Sequence, residues 1–418
     1  MTGFSADVSR AQEALRALFP ATPLQLNDYL SRKYGAKIFL KREDLSPVRS
    51  YKIRGAFNFF RKTLAVDDSA KVFVCASAGN HAQGFAWVCR HLGKRGVVFM
   101  PVTTPQQKID KTRMFGGDMV EIRLVGDFFD DCYRAAQNFA QESDGLMVPP
   151  FDDKDIIEGQ ATVASEIAAQ LPRGVTPDLM ILPVGGGGLA AGITRYFAET
   201  GAETRFVFAE PAGAASFSRS LAAGKRVKLE SVDNFVDGAA VGEIGKENFR
   251  LLKHFREEQV KLIPENRLCA TMVELLNVEG IVLEPAGALA IDALKDFTRK
   301  ELKGKTIVRV VTGGNFDFER LPDVKERALR YDGLKKYCIC RFPQRPGALR
   351  DFLGLLGPED DVARFEYLKK SARNFGSVLI GIETRNAKNF DILRKRFAEG
   401  GWAYQDITEN DVLAGLII

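Results

Sequence analysis

Along residues 71–315, short apolar runs alternate with stretches whose apolar positions recur at helical spacing. The runs are 72–76, 97–100, 119–125, 179–184, 206–209 and 307–311. Between them Ala82, Phe85, Ala86 and Cys89, and again Val163, Ile167 and Leu171, mark one side of a helix. Such alternation predicts an α/β fold of βα units, with mostly parallel sheets covered by helices on both faces. One layer before about Pro150 and one after it predict two lobes with a cleft between them, the small lobe spanning about 45–150 of a domain at 1–320. Residues 321–336, "LPDVKERALRYDGLKK", are charged and helix-favouring and read as a connector.

Beyond the connector the texture changes. The pattern predicts a strand at 337–342, then a Pro-started helix in "RPGALRDFLGLLG" with Leu349, Phe352, Leu353 and Leu356 on one face. Strands at 363–368 and 377–383, a helix near 389–397 and a strand near 402–407 complete a βαββαβ order, the ferredoxin-like split unit, over 337–418.

One helix carries an anomaly. In "SYKIRGA", residues 50–56, Ile53, Ala56, Phe57 and Phe60 form an apolar stripe, and Arg54 and Arg61 point away from it as surface cations. Lys52 instead sits on the flank of the stripe. With Ser50 as cap it falls in the first turn, where the helix dipole disfavours a positive charge. Desolvation and dipole together push its pKa down and yield a neutral amine, a nucleophile for a carbonyl.

Composition narrows the function. A net charge of +5, from 59 basic and 54 acidic residues spread along 418 positions, leaves no basic tract for nucleic acid. No apolar run approaches the ~18 residues of a membrane span. Residues 1–10 lack a basic region followed by an apolar core, so a cytoplasmic location is expected. The six cysteines are scattered without a CxxC pair, and Cys338 and Cys340 alternate in a strand-like run as small buried hydrophobes. With three histidines and no HExxH, no metal site is expected.

Three strand-to-loop junctions carry candidate chemistry. In "ILPVGGGGLAAG" an apolar strand runs into Gly185, Gly186, Gly187 and Gly188 and then a helix, a backbone cradle suited to phosphate. Gly185, Gly187 and Ala190 also fit G-x-G-x-x-A with Glu210 about 20 residues on, so a nicotinamide-dependent oxidoreductase is a rival on this segment. In "CASAGNHAQG", Ser77, Ala78 and Gly79 follow a strand and Asn80 opens a helix, offering donors to a second anion such as a substrate carboxylate. His81 alone reads more readily as a packing or capping histidine. In "VVTGGNF" a buried strand ends at Thr312, whose hydroxyl is expected to face the same cleft. The pentapeptide EPAGA occurs at Glu210 and Glu284. Each reads as a helix start after a strand or loop, and Glu284 is the one expected to border the site.

A depressed lysine, a phosphate cradle and no redox or metal residues fit pyridoxal phosphate bound between the lobes. In order, "LKREDL", "SYKIRGA", "SAGNHAQG", "PVGGGGL", "EPAGA" and "TGGN" resemble the fold type II pyridoxal-phosphate enzymes, most closely the short-form threonine dehydratases (threonine ammonia-lyases). The resemblance runs from about Pro23 to the C-terminus. It includes "FPQRPGALRDFL", residues 342–353, similar to that family's single ACT-like regulatory domain.

The resemblance implies pyridoxal 5'-phosphate as cofactor and Lys52 as its Schiff-base lysine. It places Asn80 at the ring hydroxyl, Gly185, Gly186, Gly187, Gly188 and Leu189 at the phosphate, and Thr312 at the ring nitrogen, where relatives often carry serine. Phe316 stands where many relatives have a second asparagine. Ser77, Ala78, Gly79 and His81 would meet the substrate.

The implied reaction is β-elimination of L-threonine to 2-oxobutanoate and ammonia, with L-serine a poorer substrate, at the first step of isoleucine biosynthesis. The related serine racemases carry a serine at the position of Ala78, so elimination without racemisation is expected. They also have an acidic ligand where Ser216 stands in the segment 210–216, against a divalent ion. Isoleucine is the implied inhibitor at the C-terminal domain, with valine opposing it, and a homodimer or homotetramer the implied assembly. In that domain the turn at Pro346 and Gly347 is expected to hold the effector's carboxylate at a helix N-terminus, with Phe365 and Tyr367 offering apolar surface. A catabolic serine/threonine dehydratase without allosteric control is the alternative within the same chemistry.

Overall fold

The computed structural model describes residues 3–69, 72–367 and 374–410. It divides into two compact units: one runs to Glu265 and resumes over Leu275–Asp317, and the other holds Asn266–Glu274 and the chain from Phe318.

The first unit contains two sheets. The smaller is parallel throughout, in the order β5-β4-β3-β6, from β3 (Phe73–Ala76), β4 (Gly96–Met100), β5 (Val120–Leu124) and β6 (Leu146–Met147). Both of its faces are covered. On one, Phe73, Cys75 and Val98 pack with Ile53, Phe57, Phe60 and Phe85; on the other, Val74 and Val97 pack with Cys132 and Ala136. Helix Lys52–Val66 lays its apolar stripe on the first face, where the Phe60 ring stacks on Phe73 at 3.9 Å.

The larger sheet has the order β1-β2-β10-β7-β8-β9, from β1 (Leu24–Leu26), β2 (Lys37–Arg42), β7 (Leu179–Pro183), β8 (Arg205–Pro211), β9 (Val260–Ile263) and β10 (Thr306–Val311). Every neighbouring pair is parallel except β1 with β2.

β1 and β2 precede the small lobe expected at about 45–150 and join the larger sheet, while β3 to β6 all fall inside those bounds. The entirely buried β10 requires a neighbour on both edges, and β2 supplies one, in register from Thr306 opposite Lys37 to Val311 opposite Arg42. A strand drawn from the other end of the chain leaves no trace in local periodicity.

Two expectations in the first unit change. Ser50 does not cap the Lys52 helix. Tyr51 precedes the first helical residue, no side chain caps it, and the Ser50 N–H donates to the Ser46 hydroxyl at 2.9 Å. Nor is Arg54 a surface cation: it is fully buried. Its guanidinium meets Glu43 at 2.7 and 2.9 Å and Glu166 at 2.6 and 2.9 Å. Lys41 joins through Glu166 at 2.5 Å, and Arg16 pairs with the same carboxylate. Carboxylates from two distant segments make burial of the cation tolerable.

The second unit opens with helix Leu321–Tyr331. It then builds an antiparallel sheet, β12-β13-β11-β14, from β11 (Lys335–Pro343), β12 (Asp360–Tyr367), β13 (Phe375–Thr384) and β14 (Tyr404–Asp406). With helices Ala348–Leu353 and Asn389–Glu399 the order is the expected βαββαβ. Residue 368 of the expected third segment and 411–418 of the expected domain lie outside the described residues.

The first helix of this unit differs from its expected form. It starts at Ala348, after Gly347 at φ 84°, so Pro346 stands ahead of it instead of beginning it. Ala348 and Phe352 are buried, while Leu349 and Leu353 are exposed. Cys338 and Cys340 lie in the core of this unit, and all six cysteines are buried and outside any disulfide.

Candidate active site

Strand C-termini in open α/β sheets line ligand sites because helix N-termini and loop N–H groups gather there. Three such ends converge here. β3 leads through Ser77, Ala78 and Gly79 into helix Asn80–Leu92, and β7 leads through the glycines into helix Gly188–Glu199. β10 ends at Val311, and the carbonyl of Thr312 directly after it accepts the Tyr51 N–H at 3.2 Å, while Ser50 bridges to Gly313. The segment carrying Lys52 is thus tied directly to the end of β10.

Lys52 is the first residue of its helix and half-buried. Its Nζ donates to the Pro150 carbonyl at 2.9 Å and lies 5.5 Å from the Tyr51 ring and 5.8 Å from the Phe151 ring. Desolvation lowers its pKa to about 8, against a raising effect of Glu284. Two hydroxyls of the same region, Ser50 Oγ and Thr312 Oγ1, are buried without a hydrogen-bond partner. A buried polar atom left unpaired costs on the order of 1–3 kcal/mol, so these two call for a missing partner.

The glycine loop is built for close approach. Gly187 adopts φ 91°, a left-handed conformation that side chains resist, and a Cβ at Gly186 would fall inside the Phe151 ring. Asn248 ties the loop down, donating to the Gly186 carbonyl at 2.7 Å and the Phe151 carbonyl at 3.2 Å. Asp152 accepts the Lys246 and Glu247 N–H groups at 2.7 and 2.8 Å, fixing the next helix, Lys246–Leu252, beside it. Leu189 is buried in the first turn of the helix that follows the loop.

Asn80 donates from Nδ2 to Glu284 at 2.7 Å and accepts at Oδ1 from Asn315 at 2.8 Å. Glu284 is buried, and desolvation, with Asp237 next, raises its pKa to about 7. His81 is buried with Nε2 3.0 Å from the Val148 carbonyl. Desolvation and the Lys52 charge lower its pKa to about 3, so it is neutral. The Gly79 N–H is spent on the Ser77 hydroxyl at 3.2 Å, and the Ser77 N–H on the Phe99 carbonyl at 3.1 Å.

The two EPAGA segments behave differently. Glu284 immediately precedes helix Pro285–Asp292, as expected. Glu210 lies inside β8, and its buried carboxylate accepts the Phe217 and Ser218 N–H groups at 2.7 and 3.0 Å, holding the N-terminus of helix Ser216–Ala223. It is therefore not available to a ribose hydroxyl, which removes the support for a dinucleotide fingerprint.

Phe151, Asn248 and Asn315 also shape this cleft, and sequence reasoning singled out none of them. Asn315 ends the "TGGN" motif that begins at Thr312, so it is the one of the three that local pattern brings within reach.

A family model of pyridoxal-phosphate-dependent enzymes matches residues 16–313, and a model of the C-terminal regulatory domain of threonine dehydratase matches residues 326–417. The chain is 43% identical over 412 residues to the biosynthetic L-threonine dehydratase IlvA of Bacillus subtilis, covering 98% of this chain and 96% of that protein. It is 44% identical over 414 residues to its namesake in Lactococcus lactis, covering 99% of each. Among solved structures, the processed form of threonine deaminase isoform 2 from Solanum lycopersicum superposes with a TM-score of 0.71 at 35% identity, covering 78% of this chain and 92% of that one.

Proposed function

The chain belongs to the biosynthetic threonine dehydratases, a branch of the pyridoxal-phosphate-dependent enzymes, and from that premise we propose how its own residues divide the work. It is a threonine ammonia-lyase of isoleucine biosynthesis with a C-terminal regulatory domain. L-Threonine is converted to 2-oxobutanoate and ammonia.

The residues present fit the cofactor. The observation that carries the reading is the unpaired, buried Thr312 hydroxyl at the end of β10, on the strand end tied to the Lys52 segment and beside a glycine loop closed to side chains. Bound pyridoxal phosphate supplies the electron sink that makes the substrate's Cα proton removable.

Lys52 would be the point of attachment for the cofactor and the base for the substrate's Cα proton. A pKa near 8 leaves a useful fraction of its amine neutral at physiological pH. Gly185, Gly186, Gly187, Gly188 and Leu189 would hold the phosphate on backbone N–H groups at the helix N-terminus. Asn80 would donate to the ring hydroxyl and Thr312 would meet the ring nitrogen. A hydroxyl there does not hold that nitrogen protonated, which weakens the sink and suits a substrate whose β-hydroxyl leaves promptly as water.

Ser77, Ala78 and Gly79 line the pocket for the substrate carboxylate. His81 stands behind them, held by the Val148 carbonyl. With alanine at 78, Lys52 is the base on one face of Cα, so elimination dominates over racemisation. Serine, lacking one methyl group, is poorer by about 1–3 kcal/mol in specificity.

Isoleucine is the inhibitor at the C-terminal unit, with valine opposing it, coupled by ~1–3 kcal/mol. The turn at Pro346 and Gly347, ahead of helix Ala348–Leu353, is proposed to take the effector's carboxylate, with Phe365 and Tyr367 offering apolar surface. The helix after Gly347 spans six residues, and the Phe365 and Tyr367 rings lie 6.0 and 6.2 Å from the Phe342 ring. Tyr367 remains exposed. The assembly is a homodimer or homotetramer and the location cytoplasmic. Among the described residues no helix is long and apolar enough to cross a membrane.

Two measurements test this. Purified protein given L-threonine should release 2-oxobutanoate in step with a visible cofactor band, and Thr312→Val should weaken retention of that band while Thr312→Ser keeps it. Titrating isoleucine into the intact enzyme at subsaturating threonine should lower turnover; a flat response would leave the C-terminal unit without its proposed effector.

A further inference from the structure

Glu284 occupies the position that precedes helix Pro285–Asp292, where an acidic side chain ordinarily turns back to cap its own helix. Here it makes no such cap. Its carboxylate turns to Asn80 at 2.7 Å and also accepts the backbone N–H of Asn315. Room for it is made by Gly313, where any Cβ would collide with the carboxylate.

An asparagine amide has two N–H donors and one carbonyl acceptor. Which end points where is ordinarily ambiguous, and the partners decide it. The Val48 carbonyl can only accept, which at 2.9 Å fixes the Asn315 amide nitrogen and, through it, turns the Asn80 oxygen to Asn315 at 2.8 Å and the Asn80 nitrogen to Glu284. The Asn80 oxygen is thereby engaged and one of its two N–H bonds is spent. One N–H remains.

We infer that Glu284 is a positioning residue for the reaction: with Asn315 it locks the Asn80 amide so that its remaining N–H is presented to the ring hydroxyl of the bound cofactor. The clamp ties Asn80, at the end of β3 in the small sheet, to a segment after β10 in the large one. What Asn80 needs from Glu284 is an acceptor, and the negative charge is incidental. The inference rests on the proposed contact between Asn80 and the cofactor.

A double-mutant cycle on the full-length chain tests it, reading the dissociation constant of pyridoxal phosphate by absorbance titration of protein stripped of cofactor. Asn80→Ala and Glu284→Ala should each weaken binding about tenfold, and the double variant should be no weaker than Asn80→Ala alone. Glu284→Gln, which keeps an acceptor oxygen, should stay within about twofold of the native protein. If Glu284→Ala does not fold, Glu284→Met fills the space without an acceptor and takes its place in the cycle. Losses that multiply to about a hundredfold in the double variant would show Glu284 acting independently of Asn80 and overturn the inference. So would native affinity in Glu284→Ala beside a weakened Asn80→Ala. Native affinity in Asn80→Ala itself would instead overturn the underlying contact, and the inference with it.

Discussion

Lys52 and Arg54 stand two residues apart on one helix and face regions built on opposite rules. Behind the helix, Arg54 enters a closed cluster in which Glu43, Glu166, Thr162 and Thr22 take up its guanidinium. In front, the Lys52 amine meets one carbonyl and two aromatic faces, near buried hydroxyls of Ser50 and Thr312 that have no partner. Both regions bury charge or polarity. One returns that cost through ion pairs made within the protein, and the other leaves it standing until a ligand arrives. Here the ion-paired cluster belongs to the frame, and the unpartnered hydroxyls of Ser50 and Thr312 belong to the site.

Substitutions on the two sides should separate these roles. The largest effect is expected in front: Lys52→Ala should lower threonine turnover by at least about a thousandfold, while its unfolding curve stays close to that of the native chain stripped of cofactor. Behind the helix the pattern reverses. Arg54→Ala leaves Glu43 and Glu166 buried without their main counter-charge and should cost about 3–5 kcal/mol of stability in denaturant unfolding. A near-native midpoint for Arg54→Ala would break the comparison, because the cluster would then not be a frame.

The smallest effect is a displacement in pH. Capture of pyridoxal phosphate by the stripped protein requires the neutral amine, the form favoured when burial lowers a lysine's pKa. Its rate should therefore climb with pH and level off near 8, the value to which Lys52 is lowered from 10.5. A rate still climbing towards pH 10 would place the Lys52 amine in a solvent-like environment.

What the sequence made legible follows the range of the interactions involved. Strands β3, β4, β5, β7, β8 and β10, the glycine loop after β7 and Asn80 at the head of its helix rest on local pattern and lie where that pattern put them, whereas β2, β6 and β9 left no such mark. Lys52 was conspicuous because an ammonium at the edge of an apolar stripe violates a local rule. Arg54 violated none, so its burial was invisible: the carboxylates that receive it come from Glu43 and Glu166, in other segments. The pairing of β2 with β10 was hidden for the same reason.

Glu284 and Asn315 were half legible. Their motifs stood out, but the hydrogen bonds that give them meaning cross between segments. In the second unit the residues of "RPGALRDFL" were read correctly as a helix and wrongly as to its start, since Gly347 in a left-handed conformation ends the loop one residue after Pro346.

The central claim, that the open region exists for a cofactor held by Lys52, is tested most directly by reduction. Borohydride treatment of the isolated, coloured protein, followed by peptide mapping, should abolish the visible band and leave a pyridoxyl adduct on the peptide containing Lys52. An adduct on a different lysine, or a protein with no visible band to lose, would contradict it.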